Sequence, residues 1–471
     1  LYSGQPACTG AARVIPVVTA EEMKAVDQAA PEPVEVLIGR AGRAVAIIAL
    51  DLLGGAYGRR VIVVAGKGNN GADGRAAAAV LRARGVRVSI VDAASLGGGE
   101  RLPPVDLVID AAYGTGFRGT YAPPDPGDAP VLAVDIPSGI DGDTGVGDAL
   151  AAVATVTFQA YKPGLVLGTG PTLCGHVVVA DIGLGAQVDE VATAWLMTDL
   201  EAAWLAPRAR ESHKWQHAAM VVAGSPGMMG APALVSRGAM RAGSGYVRLG
   251  VPGAALAELP TAEAVGVALP AAGWEAAAAD AATRCRALVT GPGLGRSEET
   301  GASVAALLRQ VEAPAIVDAD GINALGSVDR LKDVAGGRTA ATVITPHEGE
   351  YARLTGAAPG DDRLAAVRSV AARAGAVVLL KGSTTVVAAP DGRAWFVTTG
   401  SPRLATAGTG DVLSGVIGAF LASGVPGPEA AALAAHVHGR AAQLGPAVGL
   451  VAGDLPDLVS DWLSDHAAGA S

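Results

Sequence analysis

The chain has 471 residues, half of them apolar and 17% charged, enough for more than one core and unlike a disordered protein. Its net charge of −10 argues against general nucleic-acid binding, which rests on lysine and arginine neutralising phosphates. Three widely spaced cysteines, Cys8, Cys174 and Cys285, suit neither a disulfide framework nor a zinc knuckle, and point to a reducing, cytoplasmic setting. The apolar stretch after Asp411 is shorter than the ~20 residues a bilayer needs, and the amino terminus has no basic segment followed by an apolar one. Neither a membrane partner nor a leader is expected.

Short β-rich runs alternate with alanine-rich helical stretches, the pattern of parallel α/β layers. In chain order, Val61–Ala65 reads as a buried strand, Gly74–Arg84 as a helix and Val86–Asp92 as the next strand; Leu107–Asp110, Val131–Asp135 and Val177–Asp181 repeat the strand signal. Trp195–Trp204 then reads as a connecting helix or linker. A second series follows with Ala219–Ala223, Ala287–Thr290, Ala315–Asp318, Thr342–Ile344 and Ala376–Leu380. Two domains are predicted, 1–204 and 205–471, with the boundary good to about ten residues. Open α/β sheets bind ligands at the carboxyl ends of their strands, so those ends are where chemistry is sought.

The run AGKGNNGADG (65–74) follows a strand and opens a helix, so glycine lets backbone amides approach an anion. It is neither a dinucleotide fingerprint nor a Walker loop, and the plainer alternative is a turn without a ligand. Two more loops follow strand ends, Tyr113–Gly119 and Asp135–Gly139. Together the loops offer oxygen ligands from Asn70, Asp110 and Ser138, a set suited to a hard cation and lacking the sulfur or imidazole of a zinc site. Ser138 alone reads more simply as a turn-former.

With DAAYGTGFRG (110–119), AVDIPSGIDGDTG (133–145) and TFQAYKPGL (157–165) in order, residues 17–185 resemble the epimerase domain of NAD(P)H-hydrate repair enzymes. The resemblance implies a Rossmann-like domain. In it Asn69, Asn70, Gly71, Ala72, Asp73, Gly114, Thr115, Gly116, Phe117, Arg118, Gly119, Thr120 and Asp135 hold the hydrated dinucleotide. It further implies potassium on Asn70, Asp110 and Ser138. Ala72 departs from the family's usual glycine. The substrate's C6 carries a hydroxyl beside the ring nitrogen, so losing and regaining water epimerises it; Asp135 and Lys162 are the candidate acid/base pair.

In the second half AGTGD (407–411) precedes the apolar helical run Val412–Leu421. Amides at a helix start make an anion hole, and a carboxylate beside it suggests a base for an attacking hydroxyl, a helix cap being the plainer alternative. This motif resembles the ribokinase-like superfamily. Residues 224–249, GPGLG (291–295), VDADGINAL (317–325), ITPHEGE (344–350) and LLKGSTTVV (379–387) narrow the resemblance to the ADP/ATP-dependent NAD(P)H-hydrate dehydratase domain, over residues 205–465. It implies that Ala231, Gly295, His347 and Asp411 contact the hydrated cofactor. Lys381, Gly382, Ser383, Thr384, Thr385 and Gly410 would hold the adenine nucleotide, ADP with Mg2+, and Asp411 would be catalytic. HKWQHA (213–218) departs from the family's HKG-x-x-G at Trp215 and Ala218.

The expected protein is thus a pair of three-layer α/β domains, Rossmann-like then ribokinase-like, acting on NADHX, NADPHX and ADP as a cytoplasmic homo-oligomer. The rival is a ribokinase-superfamily kinase for a small alcohol, with an accessory dinucleotide-binding domain; a non-catalytic binding module is a third reading. Only six lysines stand against twenty-nine arginines, yet Lys67, Lys162, Lys214 and Lys381 all fall within the motifs. A compact ammonium is not interchangeable with a planar guanidinium, so these are candidate positions where Arg would not serve.

Overall fold

The computed structural model describes residues 14–205 and 210–467. The described residues form two units, one chiefly of residues 15–195 and the other chiefly of 196–360 and 364–467. The division falls at Trp195 and Leu196, nine residues before the expected boundary. Residues 196–204 are tied to the second unit by Asp199, which accepts from Arg440 Nε and Nη2 at 2.7 and 2.9 Å. Met197 N also donates to Phe396 O at 2.9 Å. Where a connecting helix or linker was expected, the chain holds the short strand Ala194–Leu196 and the 3-10 turn Asp199–Trp204. Cys174 and Cys285 are buried and unpaired, and Cys8 lies outside the described residues. No described helix is long and apolar enough to cross a membrane.

The first unit carries six parallel strands in the spatial order Arg87–Asp92, Arg60–Ala65, Leu107–Ala111, Val131–Val134, Ala154–Phe158 and His176–Ala180. Alternation sets its two faces. Val61 and Val63 pack with Ala77, Ala78 and Leu81 of the helix Asn69–Ala83 and with Leu37 and Val45 of the helix Val34–Leu53. Ile62 and Val64 pack against Ala93, Leu102 and Ala152 from connecting segments. The strand order reverses between Arg60–Ala65 and Leu107–Ala111, which opens a crevice above their carboxyl ends. The helix expected from Gly74 starts five residues earlier, at Asn69, because its glycine-rich first turn continues the α-helix.

In the second unit the strands Val377–Leu380, Thr342–Ile344, Ala315–Val317, Ala287–Thr290, Ala218–Val222, Tyr246–Gly250 and Val265–Val267 lie side by side and parallel. Thr385–Ala388 and Ala394–Val397 extend that edge antiparallel. The helix Thr409–Ala422 is almost wholly buried against Gly230–Arg241: a Cβ on Gly415 would strike Val235 O and Ala239 N, and one on Gly238 would strike Val412 O. Glycines at this crossing bring the two backbones together, and each unit is α/β as expected.

Candidate functional site

In the first unit one cavity of about 950 Å³ lies over the strand ends, lined by Lys67–Asn70, Asp73, Asp92–Ala94, Ala112–Arg118, Asp135 and Lys162 among others. The helix Asn69–Ala83 has Gly68 at its N-cap and no side-chain cap, so its first amides face the crevice. A Cβ on Gly71 would collide with the Gly66 carbonyl, so glycine is required there. Ala72 lies within the helix and donates its N–H to Gly68 O at 3.1 Å, so a methyl group is compatible with its backbone.

Lys162 is 1% exposed, and its Nζ lies 2.9 Å from Asp135 Oδ1. That Nζ also donates to Thr157 Oγ1, Phe158 O and Ala160 O at 2.9, 3.0 and 3.3 Å. An unpaired buried charge costs roughly 3–5 kcal/mol, so this shell of oxygens is what permits an ammonium here. Asp135 adopts φ 67°, a conformation that side chains rarely take, and accepts from Thr115 N and Oγ1 at 2.9 and 2.6 Å. Burial opposes its ionisation, but Lys162 and Thr115 prevail and hold its pKa below the usual carboxylate range. Asp73 differs. Its carboxyl is buried without a hydrogen-bond partner among the described residues, and burial with the Asp135 and Asp27 charges pushes it up to about 8 against the pull of Lys162. A neutral carboxyl and a charged pair therefore share one cavity.

Of the three oxygen-ligand candidates, Asn70 lines the cavity, while Asp110 and Ser138 are joined to each other. Ser138 N donates to Asp110 Oδ2 at 2.8 Å, while Ser138 Oγ accepts from Tyr113 N at 2.9 Å and donates to Tyr113 O at 3.1 Å. Asn70 packs beside Gly114, and its buried Oδ1 and Nδ2 have no partner among the described residues. Asp110 is 2% exposed, and burial raises its pKa against the Ser138 hydrogen bonds. An orphaned amide oxygen and a buried carboxyl are donors of the kind a hard monovalent or divalent cation takes.

In the second unit the motifs fall at successive strand ends. Asp318 follows Ala315–Val317, His347 follows Thr342–Ile344, and Lys381 follows Val377–Leu380. Lys381 Nζ pairs with Asp318 Oδ1 at 2.8 Å, and Ser414 Oγ donates to Asp318 Oδ2 at 2.6 Å. Burial works against the Asp318 charge, yet Lys381 and Ser414 hold its pKa below normal. Gly408, at φ 92°, starts the helix Thr409–Ala422 without a side-chain cap; a Cβ on Gly410 would lie 3.3 Å from Lys381 Nζ. Asp411, in that helix's first turn, is pushed up to about 7 by burial and the Asp318 and Asp320 charges, with Lys381 opposing. A pKa near neutrality suits a general base.

Ala231 lies opposite Gly293, and Gly295 N donates to Asp320 Oδ2 at 3.2 Å. His347 caps the helix Glu348–Thr355, its Nδ1 accepting from Gly349 N at 3.0 Å, which leaves Nε2 on the exposed side, 3.6 Å from Glu350 Oε1. Lys381–Thr384 forms the turn of an antiparallel hairpin, with Thr385 opening its second strand. The Trp215 departure is accommodated: Lys214–His217 is a 3-10 turn, with Trp215 between Tyr246, at 4.5 Å, and the Arg284 guanidinium, at 3.9 Å. Sequence reasoning did not single out Asp318, Asp320 or Ser414. The positive φ of 52° at Ala319, between the two aspartates, marks that turn only once coordinates exist. His436 and His438 are both buried, and His436 Nε2 lies 2.7 Å from Asp199 Oδ1.

Residues 219–464 match the NAD(P)H-hydrate dehydratase family, and residues 34–98 and 91–164 match the YjeF-related protein N-terminus. The chain is 42% identical over 407 residues to the bifunctional NAD(P)H-hydrate repair enzyme Nnr of Mycobacterium tuberculosis, covering 80% of this chain and 82% of that one. The enzyme of the same name from Moorella thermoacetica is 36% identical over 511 aligned positions, covering 94% and 96%. Among solved structures, the ADP/ATP-dependent NAD(P)H-hydrate dehydratase from Bacillus subtilis, co-crystallised with ATP and Mg2+, is 30% identical with a TM-score of 0.51, covering 57% of this chain and 98% of that one. A ribokinase-like superfamily protein from Enterococcus faecalis, 21% identical with a TM-score of 0.51 and covering 58% and 97%, shows the fold alone.

Proposed function

Because this chain belongs to the family of bifunctional NAD(P)H-hydrate repair enzymes, we propose that its first unit interconverts the R and S epimers of hydrated NADH and NADPH, and that its second unit dehydrates the S epimer with an adenine nucleotide. The observation that carries this reading is the convergence of Asp411, the Asp318–Lys381 pair and the Gly408–Gly410 turn within the residues matched to the dehydratase family. The match also speaks against the small-alcohol kinase and the non-catalytic module.

In the second unit Asp411 takes the proton of the C6 hydroxyl, whose oxygen attacks the β-phosphate of ADP and releases AMP. Amides of the Gly408–Gly410 turn and the Lys381 ammonium stabilise the negative charge of the transferring group. Mg2+ bound with the nucleotide would neutralise part of that charge. The ring nitrogen's electron pair then expels phosphate, and loss of the C5 proton gives NAD(P)H. The balance is hydrate plus ADP to NAD(P)H, AMP and phosphate. His347, Ala231 and Gly295 border the hydrated cofactor, and Lys381–Thr385 borders the nucleotide.

In the first unit the acid is assigned to Asp73 rather than to the expected Asp135–Lys162 pair, because Lys162 and Thr115 hold Asp135 ionised whereas burial holds Asp73 neutral; Asp73 donates its proton to the departing C6 hydroxyl. Water returns to either face of the cation as the Asp73 carboxylate takes a proton back. The Asp135–Lys162 pair orients the ring. Asn70, Asp110 and Ser138 fit potassium, which would supply positive charge beside the pyrophosphate. Unpaired Cys174 and Cys285 support a cytoplasmic setting, and the expected homo-oligomer is to be tested by sedimentation of the full chain.

Asp411→Asn tests the central step. Dehydration with ADP should fall at least about a hundredfold, while epimer exchange without nucleotide persists. Dehydration near the wild-type rate would reduce Asp411 to a cap. The same exchange assay in sodium-free buffer should depend on potassium, and Asn70→Ala should remove that dependence; exchange indifferent to potassium refutes the cation site.

A further inference from the structure

The first-unit cavity is one continuous space whose two ends differ chemically. One end holds Asp135 and Lys162; the other holds Asp92, Ala93 and Ala94 at the end of the strand Arg87–Asp92. Between them lies the glycine-rich loop, and Ala65, just before it, is the register partner of Asp92. An extended dinucleotide with its pyrophosphate on the amides of Asn69–Asp73 can bring its hydrated ring to Asp135 and Lys162. Its other half, the adenosine, then runs over the end of Arg87–Asp92. An acidic residue at the end of the strand beside a phosphate-binding loop accepts from a ribose 2′-hydroxyl and repels a 2′-phosphate.

Resting on the epimerase reading above, we propose that Asp92 is a specificity-determining residue that makes the first unit prefer hydrated NADH over hydrated NADPH. Its Oδ1 accepts from Ala94 N at 3.0 Å, which fixes the carboxylate, while Oδ2 has no partner among the described residues. From Val88 to Glu100 the sequence has no lysine or arginine to receive a phosphate. Arg118, also on the cavity wall, is turned toward Asp141 and Asp143 at 3.3 and 3.4 Å. Lys67 belongs to the loop itself, where it meets the pyrophosphate common to both dinucleotides. Discrimination here comes from a repulsive element as much as from an attractive one.

The test measures exchange of the two epimers without nucleotide, on hydrated NADH and hydrated NADPH, for the full-length wild type and Asp92→Asn. The variant keeps the bond to Ala94, and Asp92 is exposed, so folding is preserved. The wild type should show a KM for hydrated NADPH about tenfold or more above that for hydrated NADH, with similar kcat. Asp92→Asn should narrow the gap chiefly by lowering the hydrated NADPH value. Equal KM values in the wild type, or a gap unchanged in the variant, overturns the role of Asp92 while leaving the epimerase intact. Absence of exchange with either dinucleotide overturns the epimerase reading itself, and the role of Asp92 with it.

Discussion

The roles proposed for Asp73 and Asp411 rest on the same physical route in different units. Each is a carboxyl taken out of water among other carboxylates, and in each case one lysine is too weak to restore an ordinary pKa. Asp73→Asn should therefore lower epimer exchange about a hundredfold and leave ADP-dependent dehydration unchanged. It should also stabilise the first unit. The folded state holds the Asp73 proton up to about pH 8, whereas the unfolded chain releases it near 3.8. The unfolded state thus binds fewer protons in between, and stability declines as pH rises across that window. The gain in melting temperature from the amide should be absent near pH 4 and reach its full few degrees above pH 8. A gain that does not grow with pH would show that Asp73 is an ordinary surface-like acid.

The helix Thr409–Ala422 owes its position to glycines rather than to large side chains. A methyl group on Gly415 would press into the backbone of Gly230–Arg241 at Val235 and Ala239, and backbone cannot swing aside as a flexible side chain can. Gly415→Ala should cost about 1–3 kcal/mol and, by tilting the helix start, weaken dehydration at temperatures where the unit is still folded. Wild-type melting and dehydration in this variant would break the link between the crossing and the site. This crossing also marks how far sequence reading reached. The strand ends carrying Asp110, Asp135, Asp318 and Lys381 were legible because buried strands are short apolar runs with abrupt polar ends. The glycine loops were legible from composition and position. The antiparallel hairpin after Leu380 was not, since Lys381–Thr385 reads as a ligand-holding loop and not as a turn between two strands. Nor were the partnerships of His436 with Asp199, or of Ser414 with Asp318, which join residues 237 and 96 positions apart.

Across the whole molecule the two chemistries make opposite demands on protons. On the roles proposed above, epimerisation should need Asp73 protonated and fade above about pH 8, while dehydration should need Asp411 ionised and fade below about pH 7. Repair starting from the R epimer needs both, so its rate in the full-length protein should peak between those values; assays of each step alone should show single, opposed limbs. Two limbs of the same sense would refute the assignment of acid and base. The burial of Asp411 then has a meaning for the cell. If those roles hold, then in an acidic medium exchange between epimers should continue while their clearance stalls, so that damaged cofactor is stored as an equilibrating stock. Return to neutrality reopens the outlet, and the whole stock drains through the S form without waiting for slow spontaneous interconversion.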